Sequence, residues 1–513
     1  TQGHGRADNE SMSMPAEHIS SLPTLTDLLQ GYAEAPPIAV HGIASDSRQL
    51  RAGYVFLACQ GLSSHGLDYL ADAQAAGVSA VVYDTSSAAR PEESGVPVIG
   101  VERLSEKLGE IANRFYGRPS EALKVIGVTG TNGKTTVAWL VAQCAELLGA
   151  RCAYLGTVGH GIHELESSGG MTTPPAVELH GRLAEFVEQG ADYAALEVSS
   201  HALAQHRVDG VQFEAALFTN LTRDHLDYHA SMQDYFEAKA RLFLEADTRS
   251  RIINVDSEFG EELAARCGQA AVIVSTQPDR AANGQPYVLV RSIVLNEQGS
   301  DVSFVSAWGD GRFTLSLPGD FNVANALIVL ALMLQQGVAI EAACDVLSKV
   351  QAPPGRMQRV AAPGPAVYVD YAHTPNAVEA ALRALRPHCR GELCCVFGCG
   401  GMRDAGKRPL MAKMAERLAD RVVVTSDNPR DEDPLEIIDD VVSGLTRPDA
   451  AVVIEDRAAA IAWAVEQANE RDIVLIAGKG HEDTQQLGGE SRPFSDYAVA
   501  ETALVAAANR GDR

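Results

Sequence analysis

The feature that most constrains the fold is a short apolar strand that runs into a glycine-containing loop and then into a helix. Residues 125–128 form the strand, residues 129–136 the loop, and residues 137–148 the helical stretch. This order is typical of a phosphate-binding P-loop, because small residues let backbone N–H groups surround phosphates at a helix N-terminus. The spacing departs from the common pattern, since five residues separate Gly127 from Gly133. The alternative is a Gly-rich turn without a ligand.

Three side chains in or near the loop suit a nucleoside triphosphate. A P-loop lysine, here Lys134, reaches the β and γ phosphates, and the hydroxyl of Thr135 can bind Mg²⁺. An apolar run, residues 193–196, ends at Glu197, where P-loop proteins place a second magnesium ligand. Glu197 alone is equally well explained as a carboxylate at the N-terminus of a helix. The strongest inference is binding of ATP or GTP.

The rest of the chain alternates strand-like apolar runs with Ala- and Leu-rich helical stretches, as around residues 80–83, 393–397 and 473–477. This alternation favours an α/β fold with parallel sheets covered by helices. Between residues 286 and 317 the pattern changes to strand-turn-strand, which predicts a small β insertion. Residues 322–350 are interpreted as one long helical stretch.

The length of 513 residues predicts about three domains. We place one boundary near residue 101 and the other before the Pro353–Pro354–Gly355 sequence. The predicted segments are a tail at 1–14, expected to be a tag remnant or disordered, and domains at 15–101, 102–350 and 351–513.

The composition excludes several partners. The formal charge of -25 disfavours nucleic acids and acidic membrane surfaces, which need a basic face. The longest apolar run, residues 326–334, has nine residues, whereas a membrane helix needs ~20. We therefore expect a buried helix there and no membrane insertion. Nine cysteines without paired metal-ligand spacing fit reduced thiols in the cytoplasm. We also expect a monomer.

Two further polar clusters follow apolar strands. Residues 198–207 contain serine, glutamine and arginine, and residues 219–229 contain Asn220, Asp224 and His225. Such residues at a strand end suit metal or phosphate binding, although a self-satisfied loop network explains each of them as well. Lys239 lies in a helical stretch, where periodicity alone predicts a solvated side chain.

These segments together resemble the Mur ligases, which build the stem peptide of peptidoglycan. The resemblance is specific because the motifs occur in the family's order. They lie at residues 130–136, 197–201, 220–227, 319–325, 355–357 and 370–375. It implies an N-terminal UDP-binding α/β domain, a central P-loop ATPase domain with a parallel sheet, and a C-terminal Rossmann-like domain for the incoming amino acid.

Within the family, the chain is most similar to the ligases that add the third residue of the peptide. Its sequence Asp-Asn-Pro-Arg at 427–430 resembles the signature of members that add meso-diaminopimelate, whereas lysine-adding members usually differ at the Arg position. A guanidinium at Arg430 suits the second carboxylate of diaminopimelate, because the two groups can pair bidentately. Asp, Asn and Pro are also residues that strongly favour turns, so we expect a turn that presents Arg430.

The resemblance implies three groups of binding residues. Those for ATP are Gly130, Thr131, Asn132, Gly133, Lys134, Thr135, Thr136, Asn322 and Arg356, with Asn254, Asp256 and Asn325 near the adenine. Those for the UDP-muramoyl dipeptide are Ser45, Ser47, Leu62, Ser63, Ser64, Thr172, Thr173, Ser199, Gln205 and Arg207. Those for diaminopimelate are Arg403, Asp427, Asn428, Pro429, Arg430, Gly478 and Glu482.

The implied activity is ATP-dependent amide formation. The D-glutamyl carboxylate of UDP-N-acetylmuramoyl-L-alanyl-D-glutamate becomes an acyl phosphate, which the amine of meso-diaminopimelate attacks. The resemblance implies two Mg²⁺ ions, one held by Thr135 and Glu197 and the other by His225. It also implies that carbon dioxide carbamylates Lys239, which then acts as a metal ligand. Lys134, Lys239, Glu197 and His225 are thus the expected catalytic residues.

Other interpretations stay open at this point. The nearest is the L-lysine-adding ligase of the same family. A folate polyglutamate synthetase shares the P-loop pattern, but residues 45–56 and 427–430 disfavour it. A P-loop regulatory NTPase, which makes no bond, leaves the additional N- and C-terminal α/β segments unexplained.

Overall fold

The computed structural model describes residues 22–61, 64–91, 94–167, 170–278, 280 and 284–511. Two expectations lie outside the described residues: the tail at 1–14, and Leu62 and Ser63 as substrate contacts. The chain divides into two compact units. The first contains residues up to 134, 145–253 and 257–271, and the second contains 135–144, 254–256 and 272 onwards.

The N-terminal part of the first unit is a small parallel sheet. Its elements are α1 (Leu25–Leu28), β1 (Gly42–Ala44), β2 (Tyr54–Ala58), α2 (Leu70–Ala75), β3 (Ala80–Asp84), β4 (Val98–Val101) and α3 (Leu108–Phe115). The strands pair in the order β1-β2-β3-β4. Val55 and Leu57 join one apolar core, and Phe56 and Ala58 join another. Because successive strand residues point to opposite faces, both faces of the sheet are covered.

The central part of the chain begins with the predicted strand, loop and helix. Its elements are β5 (Lys124–Thr129), α4 (Lys134–Leu147), β6 (Cys152–Gly156), β7 (Gly159–Gly161), α5 (Ala176–Glu188), β8 (Tyr193–Glu197), α6 (Ser200–Ala204), β9 (Phe213–Phe218), α7 (Met232–Leu244), β10 (Thr248–Asn254) and α8 (Glu258–Cys267). In the first unit the strand order is β10-β9-β5-β8-β6-β7. All of these pairs are parallel except β6 with β7. Parallel strands end at a common edge, so the loops after β5, β8 and β9 meet there.

The second unit contains the β insertion predicted between residues 286 and 317, which is confirmed. Its elements are β11 (Ala271–Ser275), β12 (Tyr287–Asn296), β13 (Gly299–Ser306), β14 (Gly311–Leu315), α9 (Asp320–Gln335) and α10 (Ile340–Leu347). The strands β12, β13 and β14 form an antiparallel meander.

The helical stretch predicted for residues 322–350 contains two helices, so the prediction of one long helix is wrong. The first helix ends before Gly337, whose φ of 85° lies in the left-handed region that glycine adopts readily. The apolar run 326–334 lies inside α9 and is buried throughout, as expected. Among the described residues no helix is long and apolar enough to cross a membrane.

The C-terminal part of the second unit is a doubly covered sheet. Its elements are β15 (Gln358–Arg359), β16 (Ala366–Asp370), α11 (Pro375–Leu385), β17 (Leu393–Phe397), α12 (Lys407–Leu418), β18 (Arg421–Val424), α13 (Pro434–Val442), β19 (Val452–Val453), α14 (Arg457–Gln467), β20 (Ile473–Ala477), β21 (Thr484–Leu487), β22 (Glu490–Pro493) and α15 (Asp496–Gly511). The order is β15-β16-β20-β17-β18-β19, parallel except for β15. Cys395 and Phe397 face one core, and Cys394 and Val396 the other. The expected α/β class is confirmed.

A buried histidine on α5 predicts a pH dependence of stability. His180 is 0% exposed, and its Nε2 donates to the carbonyl of Asp209 at 3.1 Å. Burial lowers the pKa of His180 to about 4, although this hydrogen bond opposes the shift. In the unfolded chain the His180 side chain takes up a proton near pH 6.5, whereas in the folded protein it stays neutral down to about pH 4. Stability is therefore lost as pH falls through this window, by about 3 kcal/mol at most.

The His180→Gln variant isolates this effect, because its amide can donate to the same carbonyl and does not titrate. Urea unfolding of both proteins from pH 7 to pH 4 gives the difference between their free energies of unfolding. We expect that difference to change by about 3 kcal/mol in favour of the variant at the acid end. A difference that stays constant with pH would contradict the prediction.

Candidate active site

The P-loop and the loop after β9 are hydrogen-bonded to each other. The N–H of Thr131 donates to the carbonyl of Asn220 at 2.9 Å, and the N–H of Asn132 donates to Asn220 Oδ1 at 3.0 Å. Thr219 Oγ1 donates to the carbonyl of Asn132 at 2.6 Å. Two polar clusters that lie about 90 residues apart in the sequence thus form one structure at the carboxyl edge of the sheet.

Glycine is required at position 130 for two independent reasons. Its φ is +150°, and a Cβ there would lie 1.9 Å from Thr219 Oγ1. Gly133 also has a positive φ, +85°. A side chain at Gly130 would therefore displace Thr219, which holds the P-loop backbone.

Two lysines converge on one carbonyl of this loop. Lys134 Nζ donates to the carbonyls of Gly130 at 3.0 Å and Thr131 at 2.9 Å, and Lys239 Nζ donates to the same Gly130 carbonyl at 2.8 Å. Lys239 is 1% exposed, and Nζ lies 4.6 Å from the centre of the Tyr235 ring. Burial and then the charge of Lys134 hold the pKa of Lys239 well below its ordinary value. Periodicity favoured a solvated Lys239, which is wrong because α7 packs this face against the P-loop.

Glu197 occupies the end of β8, so the strand-end interpretation is correct and the helix N-terminal one is wrong. The N-cap of the following helix is Ser199. The Glu197 side chain is fully buried, and Oε1 accepts hydrogen bonds from Tyr154 Oη at 2.5 Å and from the N–H of Thr157 at 2.9 Å. A Cβ on Gly156 would lie 2.2 Å from this oxygen, so the neighbouring strand end must be glycine.

Four of the residues predicted for the UDP-muramoyl dipeptide form one network. Thr173 Oγ1 donates to the Glu197 carbonyl at 2.8 Å and accepts from the N–H of Ser199 at 3.1 Å. Arg207 donates through Nη1 to the Thr173 carbonyl at 2.7 Å and through Nη2 to Gln205 Oε1 at 2.6 Å. This network ties the predicted substrate residues to the strand that ends in Glu197.

The other residues predicted to bind the UDP-muramoyl dipeptide lie outside the Thr173 network. Thr172 Oγ1 lies 3.2 Å from Thr157 Oγ1, which itself donates to Glu197 Oε2. Ser45 and Ser47 follow β1, and Ser64 Oγ lies 3.3 Å from Tyr69 Oη. In the described part of the chain, no hydrogen bond joins these three serines to the Thr173 network.

His225 lies in the loop after β9, with a left-handed φ of 52° and a half-exposed side chain. Its ring packs edge-on against His201, with the ring centres 4.9 Å apart. Within the described ranges no group of three or more His, Cys, Asp or Glu residues is arranged to hold a metal. Mg²⁺ at nucleotide sites needs no such cage, because one or two protein groups, phosphates and water complete its shell.

The residues predicted near the adenine and at the domain junction lie in the second unit. Asn322 Nδ2 donates to the carbonyl of Pro318 at 2.8 Å, and Asn325 Nδ2 donates to Asn322 Oδ1 at 3.2 Å, so both amides are oriented. Asn254 Oδ1 accepts from the N–H of Asp256 at 2.8 Å. The Arg356 guanidinium lies 4.7 Å from the centre of the Tyr371 ring.

The residues predicted for diaminopimelate meet at the carboxyl edge of the C-terminal sheet. Asn428 Nδ2 donates to Glu482 Oε2 at 2.8 Å. Lys479 Nζ donates to Asn428 Oδ1 and to Glu482 Oε2, both at 2.9 Å. Lys479 is fully buried and was missed in the sequence. Its position between a strand-end Gly478 and the predicted Glu482 was the available signal.

Arg430 lies in a turn, as the sequence predicted, because the N–H of Glu432 donates to the carbonyl of Pro429 at 3.1 Å. Its φ is +56°, its N–H donates to the carbonyl of Gln486 at 3.0 Å, and Nη1 donates to the carbonyl of Gly401 at 2.7 Å. No hydrogen bond among the described residues uses Nε or Nη2 of Arg430. Arg403 is exposed in the loop after β17. A Cβ on Gly478 would lie 2.5 Å from Asp427 Oδ2, so these two loops are in close contact.

The strand, P-loop and helix within parallel sheets define an α/β protein of the P-loop class. Three family descriptions match successive parts of the chain: "Mur ligase family, catalytic domain" at residues 39–116, "Mur ligase middle domain" at 128–333, and "Mur ligase, glutamate ligase domain" at 355–480. The chain belongs to the Mur ligase family.

Individual relatives are similar over almost the whole chain. A UDP-N-acetylmuramoyl-L-alanyl-D-glutamate–2,6-diaminopimelate ligase of Pseudomonas putida is 44% identical over 483 residues, which cover 93% of this chain and 97% of the relative. The Haemophilus influenzae (strain PittGG) ligase of the same name is 45% identical over 468 residues, covering 90% and 96%. A solved structure with this name is 33% identical, has a TM-score of 0.71, and covers 94% of this chain and 99% of its own.

The contact between Gly130 and Thr219 predicts that Gly130→Ala weakens nucleotide binding. Both the positive φ and the clash must be relieved by moving the P-loop, at a cost of about 1–3 kcal/mol, so calorimetry should show a loss of affinity for Mg-ATP of about 5- to 150-fold.

Gly149→Ala is the matched control. Gly149 also has a positive φ, +89°, but a Cβ added there would meet no atom of the surrounding structure within 4 Å, so only backbone strain is added. This variant should retain the affinity of the parent protein. Equal affinities of the two variants for Mg-ATP would contradict the proposed role of the Gly130 contact.

Proposed function

We propose that this chain is an ATP-dependent ligase that adds meso-diaminopimelate to the D-glutamate of UDP-N-acetylmuramoyl-L-alanyl-D-glutamate, forming a tripeptide precursor of peptidoglycan. The observation that carries the proposal is the cluster of Arg430, Asn428 and Glu482 at one sheet edge. It occurs in a chain that is 44% identical over 483 residues to a ligase named for these substrates. The proposal includes three domains, at 15–101, 102–350 and 351–513, and a cytoplasmic monomer.

ATP is needed because a free carboxylate does not react with an amine. Transfer of the γ-phosphoryl group to the D-glutamyl carboxylate gives ADP and an acyl phosphate. The amine then attacks the acyl carbon, a C–N bond forms, and phosphate leaves with the C–O electron pair. The neutral amine is the nucleophile, so the ammonium loses one proton before attack, and the nitrogen loses a second proton as the amide forms.

The P-loop residues 130–136 bind the triphosphate in this proposal. Backbone N–H groups at the start of α4 face the phosphates, and the Lys134 ammonium offsets the repulsion between two anions, the triphosphate and the D-glutamyl carboxylate. Asn322 and Arg356 bind the remainder of the nucleotide. The network of Thr172, Thr173, Ser199, Gln205 and Arg207 binds the muramoyl dipeptide, together with Ser45, Ser47, Leu62, Ser63 and Ser64.

Two Mg²⁺ ions belong to the proposal, one held by Thr135 and Glu197 and the other by His225. The hydroxyl and the buried Glu197 carboxylate offer the oxygen ligands that Mg²⁺ prefers. When bound, Mg²⁺ supplies positive charge that stabilises the transferring phosphoryl group.

A cationic Lys239 would not fit beside these metals, and a carbamate would. Burial, the largest cause, lowers the pKa of Lys239 and so raises the fraction of its side chain that is an uncharged amine. Such an amine can add carbon dioxide: a bond forms from Nζ to carbon, one proton is lost, and an anionic carboxylate results. The Gly130 carbonyl at 2.8 Å holds Nζ in place for this reaction.

Diaminopimelate is recognised by charge and shape in this proposal. Nε and Nη2 of Arg430 can pair bidentately with the distal carboxylate, which lysine lacks. Glu482 attracts the distal ammonium, and its carboxylate is oriented by Asn428 and Lys479. Arg403, Asp427, Pro429 and Gly478 complete the site.

The choice of amino acid is tested by phosphate release with UDP-dipeptide and ATP. We expect meso-diaminopimelate to support turnover and L-lysine to be poor. Arg430→Met should lower kcat/KM for diaminopimelate by about 10- to 100-fold, since a charged hydrogen bond contributes about 1.5–3 kcal/mol.

Arg492→Met is the matched control, because Arg492 lies on the exposed strand β22 and pairs with Glu490 at 2.8 Å. It should leave the kinetic constants unchanged. A preference of the unaltered enzyme for L-lysine would overturn our assignment of Arg430 and favour the lysine-adding alternative. Phosphate release that needs neither the UDP-dipeptide nor an amino acid would favour a regulatory NTPase.

The carbamate is tested with Lys239→Ala. Loss of an anionic group at a phosphoryl-transfer site should lower kcat by about 100-fold or more, and acetate or formate should partly restore it. Acetamide, which is neutral and similar in size to acetate, serves as the control additive and should restore nothing. Lack of rescue by either acid in a folded variant would argue against the carbamate.

A further inference from the structure

A buried ion pair lies beside the proposed amino-acid site. Arg457 is the first residue of α14 and Asp496 the first of α15, and both side chains are fully buried. Arg457 Nε donates to Asp496 Oδ1 and Nη2 donates to Oδ2, each at 2.7 Å. Two parallel hydrogen bonds fix the plane of the guanidinium as well as its position.

The other hydrogen bonds of Arg457 reach the ends of two strands that are not neighbours. Nη1 donates to the carbonyl of Ser426 at 3.2 Å, just after β18, and Nη2 donates to the carbonyl of Ala477 at 3.0 Å, the last residue of β20. In the sheet, β17 lies between β18 and β20. The two strand ends therefore cannot bond directly through a sheet ladder, and the guanidinium spans the gap.

Both strand ends lead straight into the residues that we assign to diaminopimelate. Asp427 follows Ser426, and Gly478 follows Ala477. Burial alone would lower the pKa of Arg457, but the charge of Asp496, with those of Asp427 and Glu482, raises it above its ordinary value. The guanidinium also lies close to the 478–482 loop, since a Cβ added at Gly478 would lie 3.8 Å from Arg457 Nη2.

We propose that Arg457 and Asp496 form a positioning pair that sets the distance between the 427–430 loop and the 478–482 loop, and thereby the fit of the amino-acid substrate. The pair does not touch the substrate. This inference rests on the proposed function for its kinetic consequence. Lysine cannot replace Arg457, because one ammonium lacks the planar fork that reaches Asp496 and both carbonyls together.

The test compares Arg457→Lys and Asp496→Asn with a matched control, Arg386→Lys. Arg386 makes the same kind of contacts at the opposite edge of the same sheet, where it donates to Asp420 Oδ2 at 2.6 Å and to the carbonyl of Gly391 at 2.9 Å. All three variants disturb an arginine–aspartate tether in one sheet. Only the first two disturb the tether beside the proposed site.

Steady-state kinetics and hydrogen exchange without substrates are measured on each folded protein. For Arg457→Lys we expect the KM for diaminopimelate to rise about tenfold, with the KM values for ATP and UDP-dipeptide within about twofold. Amide exchange should become faster at both 426–430 and 478–482. Asp496→Asn should show the same changes, and it tests the positioning role if Arg457→Lys does not fold.

A merely structural pair gives a different result. It would lower the melting temperature and the active fraction of Arg457→Lys and Asp496→Asn, with an unchanged KM for diaminopimelate and unchanged exchange in the two loops, and this would overturn the inference. Absence of ligase activity in the unaltered protein would overturn the proposed function instead. Hydrogen exchange, which needs no substrate, would still decide the positioning role.

Discussion

Parallel strand pairing is the constraint on which the rest of this structure depends. Because β9, β5 and β8 run in the same direction, the loops that follow them must meet at one edge of the sheet. This rule brings the P-loop, the loop that contains Asn220, and Glu197 to one edge, and hydrogen bonds of 2.6–3.0 Å join the P-loop to the Asn220 loop. The C-terminal sheet repeats the arrangement with β20, β17 and β18. One geometric rule thus assembles both the proposed nucleotide site and the proposed amino-acid site.

The sequence predicted what depends on local pattern. The P-loop strand, the β insertion and the strand that ends in Glu197 each carry their signal within a few consecutive residues. The turn that presents Arg430 was predictable for the same reason, since Asp-Asn-Pro restricts the backbone locally. The break between α9 and α10 was missed because Gly337 is a single residue within a run of otherwise good helix formers.

The sequence could not predict what depends on long-range packing. Lys239 has the periodicity of a surface lysine, and its burial follows from packing against a P-loop more than a hundred residues earlier in the chain. Arg457 lies on an Ala-rich helix, and its partner Asp496 is 39 residues away. Charged residues are buried in proteins mainly when they are paired, and the pairing partner is not visible in local sequence. The fold class was therefore accessible from the sequence, whereas the burial of Lys239 and Arg457 required the three-dimensional structure.

The hydrogen bond from Lys239 to Gly130 would fix the geometry of the proposed carbamate. Addition of carbon dioxide to an amine leaves one N–H on nitrogen, and the new group is planar. If that N–H keeps the Gly130 carbonyl as its acceptor, the direction of the two carboxylate oxygens is fixed by the P-loop backbone. The loop that surrounds the phosphates would then also orient a metal ligand, in the way that outer hydrogen bonds align ligands in metalloenzymes. Phosphate binding and metal placement would share one backbone oxygen as their common reference point.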